Sequence, residues 1–175
     1  LYTDVHRVEN YPFLVKHPFT DSAFAAIAKN PEKVTENKVI NILESESNLN
    51  RWREYVAERI DSAESADEIY SRITKPYRLT FMKYAGQYLS EKDFAEMLCA
   101  AWVSSENPNN DVNVSQSELL RMFRSADKFL LMTAEERKRL DELDDPVTVY
   151  RGVTPYNAKS VKAMSWTLDY EKALW

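Results

Sequence analysis

The sequence predicts a mainly α-helical domain followed by a short β-containing segment at the carboxy end, an α+β fold overall. The first observation is that 175 residues contain only two glycines, whereas folds rich in tight β-turns use many. The second is a series of serine and threonine residues with an acid three positions later, a pattern typical of helix starts. The third is the alternating β-branched and aromatic run over residues 147–150. We therefore predict a helical domain over 1–145 and the start of a second domain over 146–175.

The helical part is predicted from its starts and its apolar faces, in chain order. Asn30-Pro31 supplies an N-cap and a first-turn proline, and the apolar residues over 34–43 predict the helix that follows. Apolar residues then recur at intervals of three and four, the spacing of one helix face: Leu49, Trp52, Val56 and Ile60. Further starts combine a hydroxyl with an acid: Ser65 with Glu68, Ser90 with Asp93, Ser115 with Glu118, and Thr133 with Glu136.

Two apolar stripes are interpreted as the core faces of helices. The first is aromatic and runs at helical spacing: Tyr77, Phe81, Tyr84 and Tyr88. The second is broader: Leu119, Met122, Phe123, Ala126, Phe129 and Leu130. Between the two stripes, the polar residues 104–113 contain a proline and four asparagines, which predicts a connecting loop.

Composition excludes several classes of function. The net charge of −5 argues against a sequence-blind nucleic-acid binder, and the longest apolar run, Met97 to Val103, has seven residues, too few for a membrane-spanning helix. Cys99 is the single cysteine and is interpreted as a small buried hydrophobe. His6 and His17 are not accompanied by clustered cysteines or carboxylates, so we predict no metal site.

Residues that suit ligand chemistry lie after position 146. Arg151 follows the predicted strand and presents a rigid fork of donors for a phosphate or carboxylate. Gly152 permits close approach of a flat ligand to the backbone. Ser165 and Thr167 place two hydroxyls on one face of an extended segment. The alternative is structural: a surface arginine, a turn glycine and two hydroxyls that cap the next helix.

Tyr150-Arg151-Gly152 and Ser165-Trp166-Thr167 resemble the opening motifs of mono-ADP-ribosyltransferases of the arginine–serine–glutamate class, which includes bacterial toxins. The order of the predicted elements is also similar to that of related phage and prophage proteins. The resemblance implies NAD as substrate, with Arg151 holding its phosphates or ribose, the Gly152 backbone pairing with the nicotinamide carboxamide, and Ser165 bracing the nicotinamide ribose. Arg151, Ser165 and Thr167 are thus the catalytic candidates.

The sequence departs from this family in three ways. Tryptophan stands at position 166 where threonine is more common, the motifs are closely spaced, and no E-x-E or Q-x-E follows Ser165. Since the family's glutamate stabilises an oxocarbenium-like transition state, we expect this chain to be a fragment that is inactive alone. The expected partner is a protein acceptor in a bacterial cytoplasm, or outside the cell after export without a recognisable signal, with neither nucleic acid nor membrane involved. The alternative is a non-enzymatic, phage-associated helical interaction or structural module.

Overall fold

The computed structural model describes residues 4–28, 37–155, 158 and 163–174. Within these residues helices predominate over strands, which confirms the predicted mainly helical α+β class. The chain divides into two compact units, Leu1–Ala85 and Gly86–Trp175. The predicted domain boundary between residues 145 and 146 lies inside the second unit and stays a prediction.

The first unit begins with antiparallel strands and continues with helices. Strands β1 (His6–Val8), β2 (Tyr11–His17) and β3 (Thr20–Ser22) form one sheet in that order, and β4 (Phe24–Ala28) pairs with β5 (Asn37–Asn41). Helices α1 (Glu46–Asp61), α2 (Ala66–Tyr70) and α3 (Arg78–Ala85) follow. The strands and α1 together bury an apolar cluster: Val15, Ala23, Ile27, Ile40, Ile42 and Trp52.

The prediction that the chain is helical before α1 is wrong. Residues 37–41 form β5 instead of a helix, and the predicted start at Asn30-Pro31 lies outside the described residues. Ile40 and Ile42 are buried on either side of a half-buried position, which is the alternation of a strand with one covered face. The low glycine content did not exclude these strands, because the turns over residues 9–10 and 18–19 contain no glycine, and no described residue has a positive φ.

The second unit contains the helices α4 (Glu91–Ser104), α5 (Gln116–Ser125), α6 (Lys128–Leu131), α7 (Ala134–Asp141) and α8 (Tyr170–Leu174). Its described core includes side chains with no solvent exposure, namely Ala95, Leu98, Ala101 and Leu119. The strand predicted over residues 147–150 is wrong, because only Tyr150 pairs there, in an isolated antiparallel bridge with Thr167. The predicted loop over 104–113 is confirmed except for the last residue of α4 and a 3-10 turn at Pro108–Asn110.

The predicted helix starts are confirmed. Ser65, Ser90, Ser115 and Thr133 are N-caps whose hydroxyls accept the backbone N–H three residues on. The acid returns the hydrogen bond to the cap's backbone at Ser115 and Thr133, which completes a capping box at α5 and α7. Local hydrogen bonds thus fix where these helices begin.

The aromatic stripe does not form a core face. Tyr84 and Tyr88 are 64% and 80% exposed, whereas Leu79 and Met82 of α3 are buried. The interpretation failed because α3 ends at Ala85 and a 3-10 turn follows, so Tyr88 does not continue the same helix. The second stripe is divided in the same way, between α5 and α6, and Phe129 on α6 is 59% exposed.

The capping box of α7 makes the stability of this helix dependent on pH. Glu136 Oε2 accepts the Thr133 backbone N–H at 2.7 Å, and hydrogen bonds from the Thr133 backbone and side chain hold the pKa of Glu136 below its usual range. A carboxylate with a lowered folded pKa stabilises the fold above its unfolded pKa, and this stabilisation is lost as pH falls through the folded pKa. We therefore expect the start of α7 to fray at pH values below the usual pKa range of glutamate. The NMR chemical shift of the Thr133 amide, followed as a function of pH, measures this fraying.

The matched variants are Glu136→Gln and Glu135→Gln. The first removes the titrating acceptor and is expected to abolish the pH dependence of the Thr133 amide shift. The second changes a neighbouring exposed acid outside the capping box and is expected to leave the dependence intact. Identical titration of the Thr133 amide in both variants would contradict the assignment.

Candidate functional site

The two motifs that carry the resemblance lie side by side in the second unit. The Tyr150 N–H donates to the Thr167 carbonyl at 2.7 Å, and the Thr167 N–H donates to the Tyr150 carbonyl at 2.9 Å. In an antiparallel pair of this kind, the residues one step away are also neighbours, so Arg151 lies across from Trp166. A single bridge thus brings together segments separated in the sequence by a loop.

Helix α8 packs on the side of the bridge that carries Tyr150. The rings of Tyr150 and Tyr170 meet edge to face with centroids 5.2 Å apart. A Cβ added to Gly152 would lie 2.5 Å from the Ala173 carbonyl oxygen, so the glycine allows this part of α8 to approach the backbone. The close approach predicted for a ligand at Gly152 is therefore made by Ala173, and a ligand role for Gly152 stays a prediction.

The hydroxyls of both candidate residues have protein partners. Ser165 Oγ accepts from Asn109 Nδ2 at 3.0 Å, and Asn109 Oδ1 accepts the Met164 N–H at 2.8 Å. Thr167 Oγ1 accepts the Asp169 N–H at 3.0 Å in the turn that leads into α8. Each hydroxyl acts as an acceptor here, and its own hydrogen has no acceptor among the described residues, so it is able to donate to a ligand.

Sequence analysis missed Asn109, which holds the serine motif from the loop after α4. Asp169 directly precedes the last helix, α8. Its Oδ1 accepts the N–H groups of Glu171 and Lys172 at 3.0 and 3.3 Å. The asparagines of this loop were the one sequence signal, because an amide side chain can donate and accept hydrogen bonds at once. The sequence did not indicate their partner, because the contact joins residues more than fifty positions apart.

Arg151 has a buried polar atom without a hydrogen-bond partner among the described residues. Its side chain is half-buried, and Nη1 is enclosed with no hydrogen-bond partner among the described residues. Within the same part of the chain, no carboxylate forms an ion pair with Arg151. An enclosed guanidinium nitrogen without an acceptor is unfavourable, and an anion on this group would remove that penalty.

Trp166 lies next to Arg151 with its ring fixed in place. Its indole Nε1 donates to the Ala163 carbonyl at 2.7 Å, and the side chain is nevertheless 46% exposed. Alternation along extended backbone puts the side chains of Trp166 and Arg151 on the same face, opposite to those of Tyr150 and Thr167.

The remaining chemical candidates lie elsewhere. Cys99 is half-buried, with Sγ 3.5 Å from the Leu131 carbonyl, and burial followed by the charge of Glu136 raises the pKa of its thiol. His17 is buried against Trp52, whereas His6 is exposed. Across the described ranges, no three metal-ligating side chains come together, and none of the helices has the length and hydropathy of a membrane-spanning segment.

The sequence motifs that resemble those of mono-ADP-ribosyltransferases thus lie on the two segments that the Tyr150–Thr167 bridge joins. Residues 156–157 and 159–162, which connect the two motifs, lie outside the described part of the chain. Comparison with known proteins found no matching family model and no curated protein or solved structure with significant similarity.

Proposed function

We propose that residues 147–174 form the NAD-binding half of a mono-ADP-ribosyltransferase site. The observation that supports this most is the buried Nη1 of Arg151, beside the bridge between the two motifs, which has no hydrogen-bond partner among the described residues. A guanidinium in this state is suited to an oxygen anion, and the diphosphate of NAD supplies several. Ser165, which keeps a hydroxyl hydrogen while accepting from Asn109, would donate to the nicotinamide ribose.

The proposed reaction breaks the bond between nicotinamide and C1′ of its ribose. Nicotinamide leaves with the bonding electron pair, an acceptor nucleophile forms a new bond to C1′, and the nucleophile loses a proton. Arg151 would hold the phosphates so that the ribose stays in place as positive charge develops on it. Asp169 caps α8 and Glu171 lies within that helix, so neither is assigned the role of the family's glutamate.

The test is nicotinamide release from NAD by the natural reading frame that contains this sequence. Arg151→Ala is expected to reduce release by about 100-fold, the effect of losing one preorganised donor to a transition state. Arg121→Ala, at an exposed arginine of α5, is the matched control and is expected to release nicotinamide like the unchanged protein. Equal release by the two variants would overturn the proposal.

The 175-residue chain alone is expected to bind NAD without cleaving it. No E-x-E or Q-x-E follows Ser165, so nothing in this sequence takes the part of the family's glutamate. Isothermal titration with NAD measures the binding, and the nicotinamide assay measures cleavage. Cleavage by this chain that is lost in Arg151→Ala would show that it carries a complete site.

The second candidate is a non-enzymatic helical interaction module associated with phage. It is favoured by the structural roles of two motif residues. Gly152 leaves space for the Ala173 carbonyl, and Thr167 Oγ1 accepts the Asp169 N–H. Absence of both NAD binding and nicotinamide release would leave this as the better account.

A further inference from the structure

We infer that Trp166 is a stacking surface for the aromatic ring of a nucleotide whose phosphate binds Arg151. The inference rests on the proposed function in so far as NAD is such a nucleotide. It adds a specificity-determining residue at the position where this chain has tryptophan between its serine and threonine.

The first step is the position of the indole relative to the guanidinium. The pair of hydrogen bonds between Tyr150 and Thr167 fixes the register of the two segments at that point. Arg151 directly follows Tyr150 and Trp166 directly precedes Thr167, so the two residues are opposed in the antiparallel arrangement. Opposed residues share a face, and their side chains therefore lie on the same face of the bridge. The indole of Trp166 and the guanidinium of Arg151 therefore come from opposed residues of the two segments that the bridge joins.

The second step is that the indole is hydrogen-bonded at Nε1 and its side chain remains 46% exposed. The hydrogen bond from Nε1 to the Ala163 carbonyl fixes the ring without using its faces. Among the described residues, no aromatic ring and no cation packs on the indole of Trp166. A large aromatic side chain that is 46% exposed and already oriented loses little freedom when a second ring stacks on it.

The third step is the chemistry of the flanking side chains. Val149 and Leu168 are the sequence neighbours of the bridge pair on the side away from Arg151 and Trp166, and their side chains are 42% and 41% exposed. They add exposed apolar side chains close to the bridge. A flat ring of low polarity with an anionic group one sugar away matches an exposed indole beside a guanidinium whose Nη1 has no partner among the described residues.

The experiment is titration of the 175-residue chain with adenosine monophosphate, nicotinamide mononucleotide and ribose 5-phosphate, followed by ligand-observed NMR. The variants are Trp166→Leu, Trp166→Phe, Arg151→Ala and, as a control at an exposed aromatic residue outside the site, Tyr88→Leu. Trp166→Leu is expected to weaken binding of one or both nucleotides about 10-fold or more, as for loss of a base–aromatic stack. Trp166→Phe keeps a ring and is expected to retain part of that affinity.

Ribose 5-phosphate separates the two parts of the site. Its weaker binding is expected to depend on Arg151 and not on Trp166, because it has a phosphate and no aromatic ring. The nucleotide whose affinity falls in Trp166→Leu identifies which half of a dinucleotide lies on the indole. Far-ultraviolet circular dichroism of each variant shows whether the fold is kept, and Trp166→Phe serves if Trp166→Leu fails to fold.

The outcomes distinguish the two proposals. Unchanged nucleotide affinity in both folded Trp166 variants overturns the stacking inference and leaves NAD binding through Arg151 in place. Nucleotide binding that depends on Trp166, together with nicotinamide release that does not depend on Arg151, keeps the stacking surface and overturns the transferase. Failure of the unchanged chain to bind any of the nucleotides at millimolar concentration overturns the stacking inference as well as NAD binding.

Discussion

Trp52→Ala is expected to lower the free energy of unfolding of the first unit by about 3–5 kcal/mol, as for truncation of a buried tryptophan. Trp52 is 4% exposed and is the helix residue in the cluster formed by the strands and α1. The His17 ring meets it edge to face at a centroid distance of 4.9 Å. Alanine would leave a cavity beside a buried imidazole, whose Nδ1 accepts the Phe19 N–H at 3.1 Å.

Urea denaturation followed by circular dichroism at 222 nm measures this effect. Trp52→Phe is the matched variant, because it keeps an aromatic ring against His17 and is expected to recover more than half of the loss. Tyr84→Ala removes an aromatic side chain that is 64% exposed and is expected to change the free energy by about 0.5 kcal/mol or less. A Trp52→Ala midpoint equal to that of Tyr84→Ala would show that the cluster does not stabilise the unit.

Gly152→Ala is expected to destabilise the bridge segment and α8 by about 1–3 kcal/mol, the usual cost of adding a group to a filled space. The new Cβ would lie 2.5 Å from the Ala173 carbonyl oxygen, a backbone atom that cannot rotate away as a side chain can. Helix α8 must therefore shift, and the contact between Tyr150 and Tyr170 is expected to weaken with it.

Amide hydrogen exchange at Tyr150 and Thr167 measures the loss, because these two N–H groups form the bridge. Both amides are expected to exchange faster in Gly152→Ala by the same factor. Val153→Ala is the control at the next position, where the side chain is 58% exposed, and little change is expected there. Protection of the two amides at the level of the unchanged chain in Gly152→Ala would mean that α8 accommodates the methyl group.

The helix starts could be predicted because their determinants lie within one turn of chain. A hydroxyl at Ser115 and an acid at Glu118 meet whenever the residues between them are helical, whatever the rest of the molecule does. The apolar face from Leu49 to Ile60 was predicted for the same reason, and α1 covers these residues. Local hydrogen bonding and spacing were sufficient for these elements.

The strands before α1 could not be predicted from the low glycine content. Glycine is required where φ is positive, and the described turns at residues 9–10 and 18–19 avoid such conformations. The residues of β5 include Val39 and Ile40, whose branched side chains favour a strand. The spacing of the apolar residues in the same segment suggested a helix. Pairing with β4 decided between these two interpretations.

The candidate site was predicted in its parts and not in its connections. The proximity of the arginine and serine motifs follows from their short separation, and the bridge between Tyr150 and Thr167 brings them together. The partner of Ser165 is Asn109, which belongs to a loop far away in the sequence. No local pattern contains that contact, because it depends on how α4 and the segments after it pack.

The turns without glycine also affect the unfolded chain. A glycine in a turn restricts the folded chain little but adds many conformations to the unfolded ensemble, all of which are lost on folding. At turns such as Glu9-Asn10 and Pro18-Phe19, which lack glycine, the unfolded chain samples a narrower range of backbone angles. The proline ring restricts this range further. The sheet of β1, β2 and β3 therefore forms with a lower loss of conformational entropy than hairpins closed by glycine, which favours strands as short as β1 and β3.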